Sequence, residues 1–135
     1  MRHFLIIVAL FLVILLVFVF APRGAAAEGR AAYLDHCAVC HGVDAEGDGP
    51  MASVLSVPPP DLTVLAAQND GDFPIGVVLR HVDGREEVLA HGDPMPLFGM
   101  LLDGPSAAVL AADGSEIVTS EALAAIATWL REVQK

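Results

Sequence analysis

The segment that decides the fold runs Cys37-Ala38-Val39-Cys40-His41. Its C-x-x-C-H spacing is that of a c-type haem attachment sequence, in which each thiol adds to one vinyl group of a single porphyrin. The histidine that follows is then held beneath the iron as its proximal ligand. The segment therefore predicts a haem bound covalently through Cys37 and Cys40, with His41 on the iron.

Two other uses of a cysteine pair agree less well with the rest of the chain. A thioredoxin-like redox pair belongs at a helix start after a strand in an α/β pattern, and the sequence shows no such pattern. A zinc site needs further soft ligands, and the chain has only two cysteines. Haem attachment is therefore the preferred interpretation of the motif.

An unbroken apolar run, residues 4–21, precedes the motif and follows Met1-Arg2-His3. The later segment Ala25-Ala26-Ala27 satisfies the small-x-small rule for signal-peptidase cleavage before Glu28. The run also reaches the roughly 18 residues that a membrane span requires. We therefore expect residues 1–27 to be a cleaved signal peptide, with an uncleaved N-terminal membrane anchor as the alternative. In both cases residues 28–135 form one exported domain.

The exported domain is strongly acidic. The 135-residue chain has a formal net charge of −10, and its length fits one domain rather than a multidomain enzyme. Removing residues 1–27 leaves five basic and seventeen acidic side chains, a formal charge of −12. A domain of this charge is a poor candidate for binding nucleic acid or anionic lipid. Membrane association is therefore expected only through residues 4–21, if they are not cleaved.

Two stretches of the domain have a helical pattern and a third is ambiguous. Residues 30–37 form a short candidate helix, and residues 120–134 carry apolar side chains at helical spacing with Thr119 or Ser120 as a possible cap. Residues 74–82 have proline at a first helical position and Gly84 at a helix C-terminus. However, Asp83-Gly84 between apolar residues is also a hairpin signal. Because so many loops leave a thin core, we expect something besides side chains to fill the centre.

Several groups of residues together resemble a small class I c-type cytochrome. They are Tyr33 to Gly42, Gly47 to Pro50, Met95 to Gly99, and the C-terminal segment with Trp129. The resemblance spans nearly all of residues 28–135 and is most specific at the C-x-x-C-H motif. It implies an all-α fold with crossed N- and C-terminal helices around one haem, and it makes residues 74–82 helical. It also implies that Gly29 and Tyr33 of the first helix meet Trp129 of the last.

The second axial ligand must come from far along the chain. The candidates are Met51, His81, His91, Met95 and Met100. His91 and Met95 share one irregular loop, so position in the chain does not separate them. The segment Met95-Pro-Leu-Phe-Gly99 resembles the ligand loop of the cytochrome family, and this resemblance assigns Met95. Pairing of histidine with methionine is how cytochromes c raise their reduction potential.

Two further roles around the haem follow from the same resemblance. A ligating histidine usually donates its other ring N–H to a backbone carbonyl. The stretch Pro58-Pro-Pro-Asp-Leu62 resembles the family loop that supplies this carbonyl, here from Pro60, with a rigid surface loop as the alternative. Arg80 and Arg85 are candidates for pairing with the haem propionates, with ordinary surface charge as the alternative. Residues 101–118 match no part of the family pattern and are expected to be a partner-facing loop or a spacer.

These features predict a periplasmic electron-transfer protein, not an enzyme, with one haem c and its iron as cofactor. Iron held by His41 and Met95 has no open position for a substrate. The expected partners are redox proteins with a basic docking face, since Lys135 is the only lysine of the chain. The alternatives are a haem-based gas-binding or sensing domain, and a membrane-anchored cytochrome subunit of an oxidase or dehydrogenase complex.

Overall fold

A computed structural model describes Phe11 and residues 24–84 and 95–135. These ranges form mostly helices, namely α1 (Ala25–His36), α2 (Ala38–His41), α3 (Ile75–Asp83) and α4 (Glu121–Glu132). They also contain the strands β1 (Ser106–Leu110) and β2 (Glu116–Ser120), and short 3₁₀ helices at Ala52–Val54 and Leu62–Val64. Within the described ranges, no helix is long and apolar enough to cross a membrane. The predicted apolar segment 4–21, apart from Phe11, lies outside the described residues.

Helix α1 packs against α4 through a small residue and an aromatic pair. A Cβ atom at Gly29 would collide with the backbone carbonyl of Ala125, so the two helices approach too closely there for any side chain. About one turn further along, the buried ring of Tyr33 lies 4.5 Å from that of Trp129, with the ring planes at 45°. The expected contact of Tyr33 with Trp129 is confirmed, whereas Gly29 meets the backbone of Ala125.

The predicted helices are confirmed with shifted ends. Helix α4 lies within the predicted range 120–134, and the Ser120 hydroxyl caps it by accepting a 3.2 Å hydrogen bond from the N–H of Leu123. Helix α3 resolves the ambiguous residues 74–82, and it ends at Gly84, whose N–H donates to the carbonyl of Arg80. Helix α1 begins at Ala25, five residues before the predicted start and before the proposed cleavage point at Ala27.

The all-α prediction is wrong for residues 101–118, which were expected to be a loop. Strands β1 and β2 pair antiparallel, with Ser106 opposite Ser120 and Leu110 opposite Glu116. The carboxylate of Asp113 stabilises the turn by accepting from the N–H of Ser115 at 2.9 Å. Alternate side chains of the hairpin are half-buried, and Ile117 packs against the core. Burial of one face of the hairpin therefore stabilises the strands. The hairpin leads directly into α4.

Candidate functional site

The predicted attachment motif forms one continuous helical turn after α1. The N–H of Cys37 still donates to the carbonyl of Tyr33, and the N–H of His41 donates to the carbonyl of Cys37 at 2.9 Å. Residues three and four apart lie on the same helix face, so Cys37, Cys40 and His41 share one. Cys37 and His41 are buried, with 7% and 8% of their surface exposed, and Cys40 is half-buried. The structure therefore brings the three predicted side chains together.

The Cys37 thiol disfavours the thioredoxin-like interpretation, and the described residues offer no zinc site. Burial, with a smaller contribution from the neighbouring Cys40, raises the pKa of this thiol to about 11. The thiol is therefore protonated at neutral pH, whereas disulfide exchange requires the thiolate. Among the described residues, no group of three or more His, Cys, Asp or Glu side chains is arranged to hold a metal ion.

The ring of His41 is oriented by the proline-rich loop. Its Nδ1 atom lies 3.4 Å from the carbonyl oxygen of Pro60, slightly longer than the roughly 2.7–3.2 Å of typical N–H···O hydrogen bonds. Because a carbonyl can only accept, Nδ1 carries the proton in this contact and Nε2 presents a lone pair. Burial lowers the pKa of His41, against the opposing effect of the Pro60 carbonyl. The imidazole is therefore in the neutral form that binds iron.

A glycine allows the proline-rich loop to approach the motif. The N–H of Gly47 donates to the carbonyl of His41 at 2.8 Å. Gly47 has a φ of 82°, and a Cβ atom there would lie 2.5 Å from the carbonyl oxygen of Pro59. Both the backbone conformation and the space therefore require glycine. This contact places Pro59 and Pro60 beside the turn that carries His41.

The loop that contains Met95 lies between α3 and the motif. The N–H of Phe98 donates to the carbonyl of Val82 near the end of α3, at 3.0 Å. The ring of Phe98 lies 6.4 Å from that of His36, the residue directly before Cys37. Met95 itself is half-buried in this loop. The loop thus joins the end of α3 to the start of the attachment motif.

A comparison of the chain with models of protein families agrees with this site, which combines a C-x-x-C-H turn, a proline carbonyl and a methionine loop. The family model described as Cytochrome c matches residues 26–134. The chain belongs to the cytochrome c family. No curated protein and no solved structure matches it. Members of this family bind haem c with its iron covalently and act in haem-based electron transfer, so this cytochrome is a haem c protein.

The residues present in this cytochrome fit haem c. Two free thiols and the lone pair of His41 Nε2 on one helix face are the donor set that covalent attachment and proximal ligation require. Cys37, Cys40 and His41 come from one turn, and the Pro60 carbonyl comes from a loop nineteen residues away. The chain thus brings two thiols and an imidazole of fixed orientation together at one turn.

Exposure separates Met95 of this cytochrome from two other candidate ligands. Met100 is 88% exposed and Met51 is 42% exposed, whereas Met95 is half-buried. His81 lies exposed on α3, near enough to His41 to lower its pKa. His91 and Arg85 lie outside the described residues, and Arg80 is exposed on α3.

Sequence reasoning missed one polar contact of the site. Tyr33 was expected only to pack against Trp129, yet its hydroxyl also donates a 2.8 Å hydrogen bond to the carbonyl of Gly42. A buried tyrosine usually has a partner for its hydroxyl, so its position four residues before the motif was the available signal. The contact fixes the residue that follows His41.

Proposed function

We propose that this cytochrome is a periplasmic electron-transfer protein with His41 and Met95 as its axial ligands. Cys37 and Cys40 are the attachment residues in this proposal. The observation that carries it is the shared helix face of Cys37, Cys40 and His41, with Nδ1 of His41 directed at the Pro60 carbonyl. When bound, haem supplies reversible one-electron chemistry at its iron. The chain's own residues determine how that chemistry is used.

Each residue has a separate part in this function. Cys37 and Cys40 would hold the porphyrin beside the helix through thioether bonds and would limit its movement during electron transfer. The hydrogen bond to Pro60 holds the His41 ring in one orientation and one tautomer. Met95 would hold the iron through its thioether sulfur and would leave no site for a substrate. Electrons therefore pass at the protein surface, to and from partner proteins.

The surface around the motif indicates the chemistry of those partners. Five apolar side chains from the motif up to the proline-rich loop are exposed, namely Val39, Val43, Met51, Val54 and Val57. Residues 31–79 contain seven acidic side chains and neither lysine nor arginine. The side chain of Lys135 forms an ion pair with Glu46. We therefore propose a partner face that is apolar at its centre and basic at its rim, in accordance with the general pattern of protein interfaces.

The periplasmic location rests on the N-terminal sequence. The apolar run 4–21 and the alanine segment before Glu28 support export. The mass of the mature protein distinguishes the two forms of the proposal. A mature N-terminus at Glu28 indicates a released carrier, whereas retention of residues 1–27 indicates a subunit anchored in the inner membrane and facing the periplasm.

Spectra of the purified, haem-loaded protein test the proposed ligand set. In the oxidised state we expect the weak far-red charge-transfer band of an iron–thioether bond, because Met95 is coordinated. In the reduced state we expect no spectral change on adding carbon monoxide, because both axial positions are occupied. A missing far-red band together with stoichiometric carbon monoxide binding would support the gas-binding alternative instead.

A further inference from the structure

The side chain of Gln134 and the backbone of Lys135 are hydrogen-bonded to the turn that follows the proline-rich loop. The Oε1 atom of Gln134 accepts a 2.8 Å hydrogen bond from the N–H of Ala66. Its Nε2 atom donates to the carbonyl of Leu62 at 2.8 Å and to that of Leu130 at 2.7 Å. The backbone N–H of Lys135 donates to the carbonyl of Thr63 at 2.9 Å. The chain end therefore holds the 3₁₀ helix Leu62–Val64 at several points.

That 3₁₀ helix begins at Leu62, two residues after Pro60. Asp61 caps it, since Oδ1 accepts from the N–H of Thr63 at 2.8 Å and from the Thr63 hydroxyl at 2.6 Å. The N–H of Leu62 donates to the carbonyl of Ala45 at 2.8 Å, so Leu62 is bonded at both its N–H and its carbonyl. Thr63 is fully buried. The peptide that links Pro60 to Asp61 is thus attached to a fixed turn.

We propose that Gln134 is a positioning residue for the axial histidine: its bond to Leu62 holds the turn that directs the Pro60 carbonyl at His41, and it thereby tunes the reduction potential. This inference rests on the proposed ligation of iron by His41. In this proposal Gln134 does not act by touching His41 or Pro60. It acts through the backbone that runs from Leu62 to Pro60.

The long hydrogen bond between His41 and Pro60 should be sensitive to loss of the contact between Gln134 and Leu62. At 3.4 Å the hydrogen bond is near its limit, so a turn that is free to move weakens it on average. Donation from Nδ1–H makes the ligating Nε2 more basic, which favours ferric iron. Loss of the Gln134 amide should therefore raise the reduction potential.

The test compares haem-loaded variants of the full protein. Gln134→Met keeps the length of the side chain and removes its polar contacts, and Gln134→Asn keeps the amide on a shorter stem. The matched control is Ser120→Ala, which removes the cap at the opposite end of the same helix. We measure the reduction potential, the unfolding midpoint and, in the reduced diamagnetic state, the exchange rate of the His41 Nδ1 proton.

We expect both Gln134 variants to raise the ratio of reduced to oxidised haem at a fixed applied potential. The change should be about tenfold or less, because even direct loss of such a hydrogen-bond partner changes metal affinity or activity by about 10- to 100-fold, and Gln134 acts indirectly. The His41 Nδ1 proton should exchange faster in both variants. Ser120→Ala should lower the unfolding midpoint and leave the potential and the exchange rate unchanged.

Three results would overturn the inference. They are lower stability of the Gln134 variants at an unchanged potential and exchange rate, an equal shift of potential in Ser120→Ala, and failure of both Gln134 variants to retain haem. If Gln134→Met alone does not load haem, Gln134→Asn decides the comparison. A wild-type protein without covalent haem, or without His41 on the iron, would instead refute the proposed function.

Discussion

The hydroxyl of Tyr33 donates a 2.8 Å hydrogen bond to the carbonyl of Gly42, the residue directly after His41. The ring of the same tyrosine packs against Trp129 of α4. Burial raises the pKa of Tyr33, so its hydroxyl stays protonated and remains a donor across the physiological range. One side chain therefore connects α1, α4 and the attachment motif.

Substituting Tyr33→Phe should destabilise the haem-loaded protein by about 0.5–1.5 kcal/mol, because the Gly42 carbonyl is left with a longer, 3.3 Å bond from the N–H of Ala45. Denaturant unfolding checks this value. The matched control is Thr128→Val, since the Thr128 hydroxyl bonds to the carbonyl of Ala124 within α4. That carbonyl keeps its helical partner, so we expect a smaller loss of stability. Equal effects in the two variants would contradict the role given to Tyr33.

Because α1 and α4 approach closely at Gly29, even the smallest side chain there should lower the stability of the protein. Gly29→Ala should destabilise the protein by about 1–3 kcal/mol, because the added methyl group collides with the backbone of Ala125. The gain in helix propensity of up to about 1 kcal/mol does not offset a backbone displacement. Gly104→Ala is the control, since its Cβ would meet nothing within 4 Å. Unchanged unfolding midpoints in both variants would show that the helices can separate freely.

Removal of the haem tests whether the small core needs it in order to fold. Cys37→Ala combined with Cys40→Ala should yield a haem-free chain that has lost most of its helix content, because the domain is too small to replace the buried group with side chains. Circular dichroism measures this loss. Val39→Ala, at an exposed position between the two cysteines, should keep both haem and helix content. A haem-free double variant that unfolds cooperatively from native helix content would refute the expectation.

The same dipeptide, Asp-Gly, shows what sequence patterns can and cannot decide in this fold. Asp83-Gly84 ends helix α3, and Asp113-Gly114 forms the turn of the hairpin. The first follows residues with helical periodicity, and the second lies between two segments whose alternate side chains are half-buried. The dipeptide alone therefore does not distinguish a helix end from a hairpin turn; the periodicity of the flanking residues does.

Some residues of the site can be found from a local sequence pattern, whereas others depend on contacts between distant parts of the chain. Cys37, Cys40 and His41 could be found from their spacing, because one helical turn brings them together. Pro60 came from the family resemblance, and the structure places its carbonyl at the His41 ring. The bonds of Gln134 to Leu62 and of Tyr33 to Gly42 connect residues 72 and nine apart. Such pairings depend on how α4 and α1 pack, so no local pattern predicts them.

The acidic surface predicts the salt dependence of electron transfer. The rate of reaction with a basic partner protein should fall as ionic strength rises, since the Debye length shortens to about 8 Å near 0.15 M. Stopped-flow kinetics measures this rate. Asp44→Asn, close to His41 in the chain, should lower the low-salt rate more than Asp113→Asn in the hairpin turn. A rate that rises with salt would mean that like charges meet at the interface.

The most direct test of the account is the identity of the sixth ligand. We predict that Met95→Ala abolishes the far-red charge-transfer band of the oxidised protein and lowers the reduction potential, because a soft ligand that favours ferrous iron is lost. Met100→Ala, which removes a side chain that is 88% exposed, should leave both unchanged. If Met95→Ala retains the band and the potential while Met100→Ala loses them, the assignment of Met95 to the iron is wrong.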